Sequence, residues 1–114
     1  MLPRRLDRLP RRRLAAGGVV LEATTPLARL LGLAFLDELP SAYALLIPHC
    51  RSVHTFGMRF AIDVAFLDED GAVLRLERRV PPRRTLVCRK GFAVLETRAG
   101  EAELFVGPRL RAVE

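Results

Sequence analysis

The sequence predicts an α+β domain: a mostly antiparallel β-sheet, barrel-like or sandwich-like, with one short N-terminal helix and a short C-terminal helical turn. Two observations carry this prediction. An Asp-Gly pair between apolar runs marks a tight hairpin, and "TTPLARLLGL" has the start and stop signals of a helix. With 114 residues, the chain is long enough for one domain, which we expect over residues 17–114.

The N-terminal helix is predicted at 24–33. Thr25 can cap its start, Pro26 suits the first helical position, and Gly32 ends it. Strands are expected at 18–23 and at 43–48. The second of these is a continuous apolar run, which is typical of a strand buried on both faces.

A hairpin is predicted around "FLDEDGAVL". With a three-residue loop, Gly71 takes the left-handed conformation and Asp68 faces Ala72. This register places Phe66 opposite Leu74, Val64 opposite Leu76, and Asp63 opposite Glu77 and near Arg75 on the other face of the sheet.

A second hairpin is predicted immediately upstream, with a strand at 50–56 and "GMRF" as its loop. That register sets His54 directly opposite Asp63, with Cβ atoms about 5 Å apart. A polar strip across three strands follows, formed by His54, Asp63, Arg75 and Glu77. The strip has two interpretations: a histidine tuned by a carboxylate, or the solvated outer face of a half-buried sheet.

The last predicted strand, in "GFAVLETRAGEAE", puts Phe92, Val94 and Glu96 on one face, and a helical turn is expected after Gly100. Glu96 is an acid embedded among apolar residues. If it is buried it needs a hydrogen-bond donor, and an arginine from the basic segments is the natural candidate.

Basic residues are concentrated in two segments of a chain whose net charge is +6. Residues 1–14 carry six arginines against Asp7, and residues 75–90 carry seven basic residues against Glu77. We expect residues 1–16 to form a mobile basic arm. Such clusters attract phosphate backbones, so nucleic-acid binding is possible, but a solvated charged face is favoured.

No pattern for a metal, a cofactor or a catalytic dyad stands out. Cys50 and His54 lie about 13 Å apart on an extended strand, and no C-x-x-C or H-x-x-x-H pair is present. We expect Cys50 and Cys88 to be reduced thiols, no metal and no cofactor. The sequence shows no secretory signal and no apolar run of ~18 residues, so a cytoplasmic protein without a membrane span is expected.

Three stretches at their spacing resemble the bacterial and archaeal family of the domain of unknown function numbered 192: "LLGL", "SVHTFGMRFAIDVAFLDEDGAVL" and "AVLETRAG". The resemblance covers about 18–113 and implies a compact, mostly antiparallel β domain with no established activity. By this likeness, the family's motif positions are occupied by Asp63, Asp68, Gly71, Glu96 and Gly100.

The function expected from the sequence is a non-enzymatic binding or interaction module for an unknown small molecule or protein. Its predicted contact surface consists of His54, Arg59, Asp63, Arg75, Glu77 and Glu96. The alternatives are a small enzyme that uses His54 and Asp63 as an acid–base pair on a polar small molecule, and a nucleic-acid-binding protein that uses the basic segments.

Overall fold

The structure, a computed structural model, describes residues 2–114. Its strands are β1 (Arg11–Arg13), β2 (Val19–Glu22), β3 (Tyr43–Pro48), β4 (Ser52–His54), β5 (Ile62–Leu67), β6 (Val73–Val80), β7 (Thr85–Val87) and β8 (Ala93–Arg98). Its helices are α1 (Arg4–Asp7) and α2 (Pro26–Leu31), and a 3₁₀ turn spans Ala102–Leu104.

Six strands form one mixed sheet in the order β1-β2-β3-β8-β5-β6, and β4 and β7 form a separate antiparallel pair. Within the six-stranded sheet, β2 and β3 are parallel and all other neighbours are antiparallel. The parallel pair requires a crossover, which α2 and the loop after it provide. Because β1 and β6 remain separate edges, the sheet is not a closed barrel, and the predicted sandwich-like α+β class is confirmed.

The large sheet has an apolar core on each face. One core lies under α1, α2, the loop after α2 and the β4–β7 pair, and includes Leu6, Leu33, Ile47, Val53, Val64, Phe66 and Val94. The other lies under the C-terminal segment and includes Leu14, Ala65, Leu95, Phe105 and Val106. The three middle strands are therefore buried on both faces.

The predicted helix and C-terminal turn are confirmed. The Thr25 hydroxyl accepts a hydrogen bond from the Ala28 amide at 3.1 Å, and Gly32 ends α2 with a φ of +53°. The 3₁₀ turn follows Gly100 as expected. Helix α1 was not predicted. It has four residues, which are too few to show a helical periodicity in the sequence.

The predicted basic arm lies against the body of the protein. Leu6, Leu9 and Leu14 are buried, and β1 pairs with β2. These contacts argue against a mobile arm, although the division of the chain at residue 17 stays a prediction. Residue 1 of the predicted arm lies outside the described residues.

The β5–β6 turn is confirmed, but its register is wrong beyond the turn. Gly71 has a φ of +82°, and the Asp68 amide donates to the Ala72 carbonyl at 2.9 Å. The register then shifts at a bulge, so that Phe66 faces Arg75 instead of Leu74. This bulge moves the partner of Val64 by one position, to Glu77, and a second shift moves the partner of Ile62 by two, to Val80.

The predicted pairing of His54 with Asp63 is also wrong. Strand β4 pairs with the distant β7, where His54 faces Thr85. Thr55, which follows β4, is fully buried, and its hydroxyl donates to the Pro81 carbonyl and accepts from the Arg84 amide. These bonds hold β4 beside β7, so the chain from 55 to 61 is not a tight hairpin loop.

Asp63 joins three parts of the fold through backbone amides. Its Oδ1 accepts from Arg79 at 3.0 Å, and its Oδ2 accepts from Gly100 at 3.0 Å and from Ala102 at 3.2 Å. The carboxylate is 1% exposed. It therefore holds a bulge in β6 and the turn after β8 against β5.

We expect Asp63→Ala to lower the free energy of unfolding by about 3 kcal/mol, because three buried amides lose their acceptor. Urea denaturation measures this loss. Asp70→Ala, at an exposed turn position, is the matched control and should change stability by less than about 0.5 kcal/mol. Equal effects of the two substitutions would contradict this role of Asp63.

Candidate functional site

A small cavity of about 40 Å³ opens between α2, β4 and β8. It is large enough for one to a few water molecules or for one small chemical group. Its polar lining residues are Arg29, Cys50, Ser52, His54 and Glu96, and its apolar or backbone lining comes from Leu30, Leu31, Gly32, Ile47 and Val53.

Glu96 lies in the wall of this cavity. Its strand, β8, runs between β3 and β5, where Glu96 faces Leu45 on one side and Val64 on the other. The residue is 2% exposed, and its Oε1 has no hydrogen-bond partner within the described chain. A buried carboxylate oxygen without a donor is costly, and native proteins seldom leave one.

Burial raises the pKa of Glu96 to about 7, and a hydrogen bond with the backbone of Leu33 opposes this rise. The carboxyl group therefore changes its charge near neutral pH. It can donate a proton to a hydrogen bond when neutral, and it can accept from a charged donor when ionised.

Gly32 brings the loop after α2 against the Glu96 carboxylate. A Cβ atom at Gly32 would lie 2.9 Å from Glu96 Oε1, and the residue has a φ of +53°. Both facts favour glycine, because a larger side chain would be strained and would press on the carboxylate.

An arginine does approach Glu96, but it does not pair with it. The Arg5 guanidinium in α1 donates to the carbonyls of Gly32 and Ala34, which lie in the loop above Glu96. The expectation that an arginine is the hydrogen-bond donor of a buried Glu96 is therefore wrong. Arg5 fixes the loop, and burial lowers its own pKa.

Polar groups at the mouth of the cavity are largely engaged with the backbone. The Arg29 guanidinium donates to the carbonyls of Pro48 and His49, and the Cys50 thiol donates to the Ser52 carbonyl at 3.0 Å. His54 is exposed. Oε1 of Glu96 is thus the buried atom of this cavity lining that still lacks a hydrogen-bond partner.

The predicted polar strip is not assembled. Arg75 and Glu77 do form an ion pair at 3.4 Å on β6. His54, however, lies on the separate β4–β7 pair, and Asp63 points to the face of the sheet opposite Glu96, toward Ala102. Asp63 and Glu96 therefore do not share a cleft.

Arg59 is also apart from this cavity, because its guanidinium pairs with the exposed carboxylate of Asp37. Of the predicted contact residues, His54 and Glu96 line the same cavity. Whether any predicted residue binds a partner stays a prediction.

The sequence did not reveal that four residues lie near Glu96 or its loop: Arg5, Arg29, Gly32 and Cys50. Gly32 carried a signal, since it was predicted as the end of α2, but a helix-ending glycine does not reveal what its backbone approaches. The other three reach the region through contacts between segments distant in sequence, which local patterns do not encode.

Within residues 2–114, no group of three or more His, Cys, Asp or Glu side chains is arranged to hold a metal ion. Cys50 and Cys88 are free. None of the helices in this part of the chain is long and apolar enough to cross a membrane.

Comparison with known proteins gives one family and two similar structures. The profile of DUF192, described as Uncharacterized ACR, matches residues 15–111. The chain belongs to the DUF192 family. No curated protein matches the chain. Membership in DUF192 agrees with the resemblance seen in the sequence and brings no assigned activity.

Both similar structures share the fold of this DUF192 chain. A protein of unknown function from Novosphingobium aromaticivorans is 23% identical, with a TM-score of 0.69, and the match covers 91% of this chain and 81% of that one. A protein from Sinorhizobium meliloti, described as a candidate transcription regulator, is 24% identical, with a TM-score of 0.70 and coverage of 91% and 89%.

Of the five residues that the sequence resemblance assigns to motif positions, four have a clear structural role. Asp63 accepts three amides, and the Asp68 carboxylate accepts two amides in the β5–β6 turn. Gly71 and Gly100 have φ values of +82° and +89°. Glu96 instead leaves one buried oxygen without a partner.

We expect Glu96 to make stability fall as pH rises from about 4.5 to about 7. Between these values the folded chain keeps a proton that the unfolded chain releases, so ionisation favours unfolding. Relative to wild type, Glu96→Gln should gain about 3 kcal/mol in free energy of unfolding between pH 4 and pH 8.

Urea denaturation at both pH values measures this gain, and Glu38→Gln, at an exposed position, is the control that should show none. If the free energies of unfolding of wild type and Glu96→Gln differ by the same amount at both pH values, burial does not raise the pKa of Glu96.

Proposed function

We propose that this protein is a non-enzymatic binding module and that Glu96 anchors a hydrogen-bond-donating group of its ligand in the small cavity. One observation carries the proposal: Glu96 lines an open cavity, and its carboxylate oxygen Oε1 is buried without a donor. Cavities with few, well-placed polar groups are typical of ligand sites.

Glu96 differs in free energy between the unliganded and the ligand-bound protein. Without a ligand, ionisation of the buried carboxyl group is unfavourable, as its raised pKa indicates. A donor placed against Oε1 supplies the missing hydrogen bond, and a hydrogen bond to a charged group contributes about 1.5–3 kcal/mol. This hydrogen bond, which the unliganded protein does not form, would contribute to the binding free energy of a ligand.

The two alternatives receive less support. An acid–base enzyme was expected to use His54 beside Asp63, yet Asp63 is held by three amides on the far face of the sheet. For nucleic acid, the basic strands β1 and β6 lie at opposite edges of the sheet, roughly 24 Å apart by strand spacing, which divides the charge between two surfaces. The expected cytoplasmic location stays part of this proposal.

We expect methylammonium, acetamide or methanol to bind at the cavity, with the cation binding best at pH 8, where Glu96 is mostly ionised. Titration of ¹⁵N-labelled protein by NMR measures the shifts of the amides of Gly32 and Val53. The methylammonium shifts should be lost in Glu96→Gln, which keeps the shape of the side chain but not its charge, and retained in Glu38→Gln.

If none of the three probes shifts the Gly32 and Val53 amides of wild type more than those of Glu96→Gln, the proposed function is wrong. A positive result with any one of them supports an anchor for a donor group and leaves its identity to be determined.

A further inference from the structure

The cavity is far smaller than a complete ligand site. At about 40 Å³ it compares with roughly 300–1,000 Å³ for pockets that enclose a drug-sized molecule. Only the tip of an occupant fits against Glu96. The remainder of the occupant must lie on the surface around the mouth, so the chemistry of this surface decides what kind of partner binds.

That surface, which we call the apolar rim, consists of Leu30, Phe35 and Phe56, each more than half exposed. Leu30 lines the cavity itself. The Phe56 ring lies 6.4 Å from the ring of His54, which also lines it, and the Phe35 ring packs on Gly57. Exposed apolar side chains grouped at one place mark interaction surfaces.

The mouth of the cavity also offers a backbone edge. Within residues 2–114, β4 pairs with β7 alone, so its second edge has no strand beside it, although the Ser52 carbonyl accepts from the Cys50 thiol. Ser52, Val53 and His54, the whole of β4, line the cavity. An extended protein segment can pair with such an edge, whereas a small metabolite or a lipid chain cannot.

We propose that the partner is an extended protein segment that inserts a lysine side chain toward Glu96 and lays its apolar neighbours on the rim. This inference rests on the proposed function. A primary ammonium is compact, carries three donors and has the charge that complements a buried, unpaired carboxylate. A lysine stem is long and narrow enough to cross the mouth with its bulk outside.

The charges around Glu96 set the pH dependence. Arg29 from α2 and His54 from β4 face the cavity, as does the thiol of Cys50, and Arg5 from α1 lies behind Gly32. Glu96 is the one acid of the cavity lining, and the Arg29 guanidinium is held by two carbonyls at the mouth. Binding of an ammonium should therefore follow ionisation of Glu96 and strengthen by about tenfold from pH 6 to pH 8.

Calorimetric titration of the full chain with the peptide Ac-Ala-Leu-Lys-Leu-Ala-NH₂ at pH 8 tests the inference. Two comparison compounds are titrated in the same way. One is the same peptide with norleucine in place of lysine, and the other is n-butylammonium, which has the end of the lysine side chain alone. We expect the lysine peptide to bind about tenfold tighter than either compound. Glu96→Gln should remove the preference for lysine over norleucine.

Two further variants separate the contribution of the apolar rim to binding from that of the cavity. Phe56→Ser should weaken the peptide severalfold and leave n-butylammonium unchanged, because it alters the rim and not the cavity. His54→Gln should keep the dependence on pH, since Glu96 is the titrating group.

The outcomes distinguish this inference from the proposed function. If n-butylammonium binds in a Glu96-dependent way but the lysine peptide binds no tighter, the function stands and the protein partner is wrong. Equal binding of the lysine and norleucine peptides also overturns the inference, as does tighter binding of n-decylammonium than of the peptide, which would indicate an amphiphile. If no compound depends on Glu96, both proposals fall.

Discussion

The burial of β8 between β3 and β5 is the constraint on which the rest of the structure depends. Both faces of the sheet are covered at this strand, so every side chain from Ala93 to Thr97 is removed from water, whatever its chemistry. Four of these five residues are apolar or carry a hydroxyl that bonds locally. The fifth, Glu96, is an acid, and its raised pKa follows from its place in the sheet.

The surroundings of Glu96 keep the cavity open beside this carboxyl group. Gly32 approaches the carboxylate without a side chain, and Arg5 holds the loop that contains Gly32 through two carbonyl groups. The arm before β1 is thus a part of the site's support. A chain selected for stability alone would place a neutral or apolar residue at position 96, because an unpaired buried acid opposes folding at neutral pH. In the proposed function, binding of a donor would offset that cost.

The sequence predicted the elements whose signals are local. Thr25, Pro26 and Gly32 defined α2, the Asp-Gly pair located the β5–β6 turn, and the apolar run at 43–48 located β3. It did not predict the bulge that displaces Leu74, because a bulge depends on how the edge strand β6 twists against its neighbour. It also paired β4 with the next strand, whereas β4 lies beside β7, more than 30 residues away, through the bonds of Thr55.

Only one buried residue of the candidate site could be singled out from the sequence. An acid inside an apolar strand singled out Glu96, but its neighbours come from α1, α2 and β4, whose positions only tertiary contacts determine. The candidate site depends on one feature, the burial of Glu96 Oε1 without a donor. Its most direct test is an NMR titration of the Glu96 side-chain ¹³C carboxyl signal. We expect a pKa of about 7, and a value near 4.5 would mean that the carboxylate is solvated or paired and that the cavity is not a site of this kind.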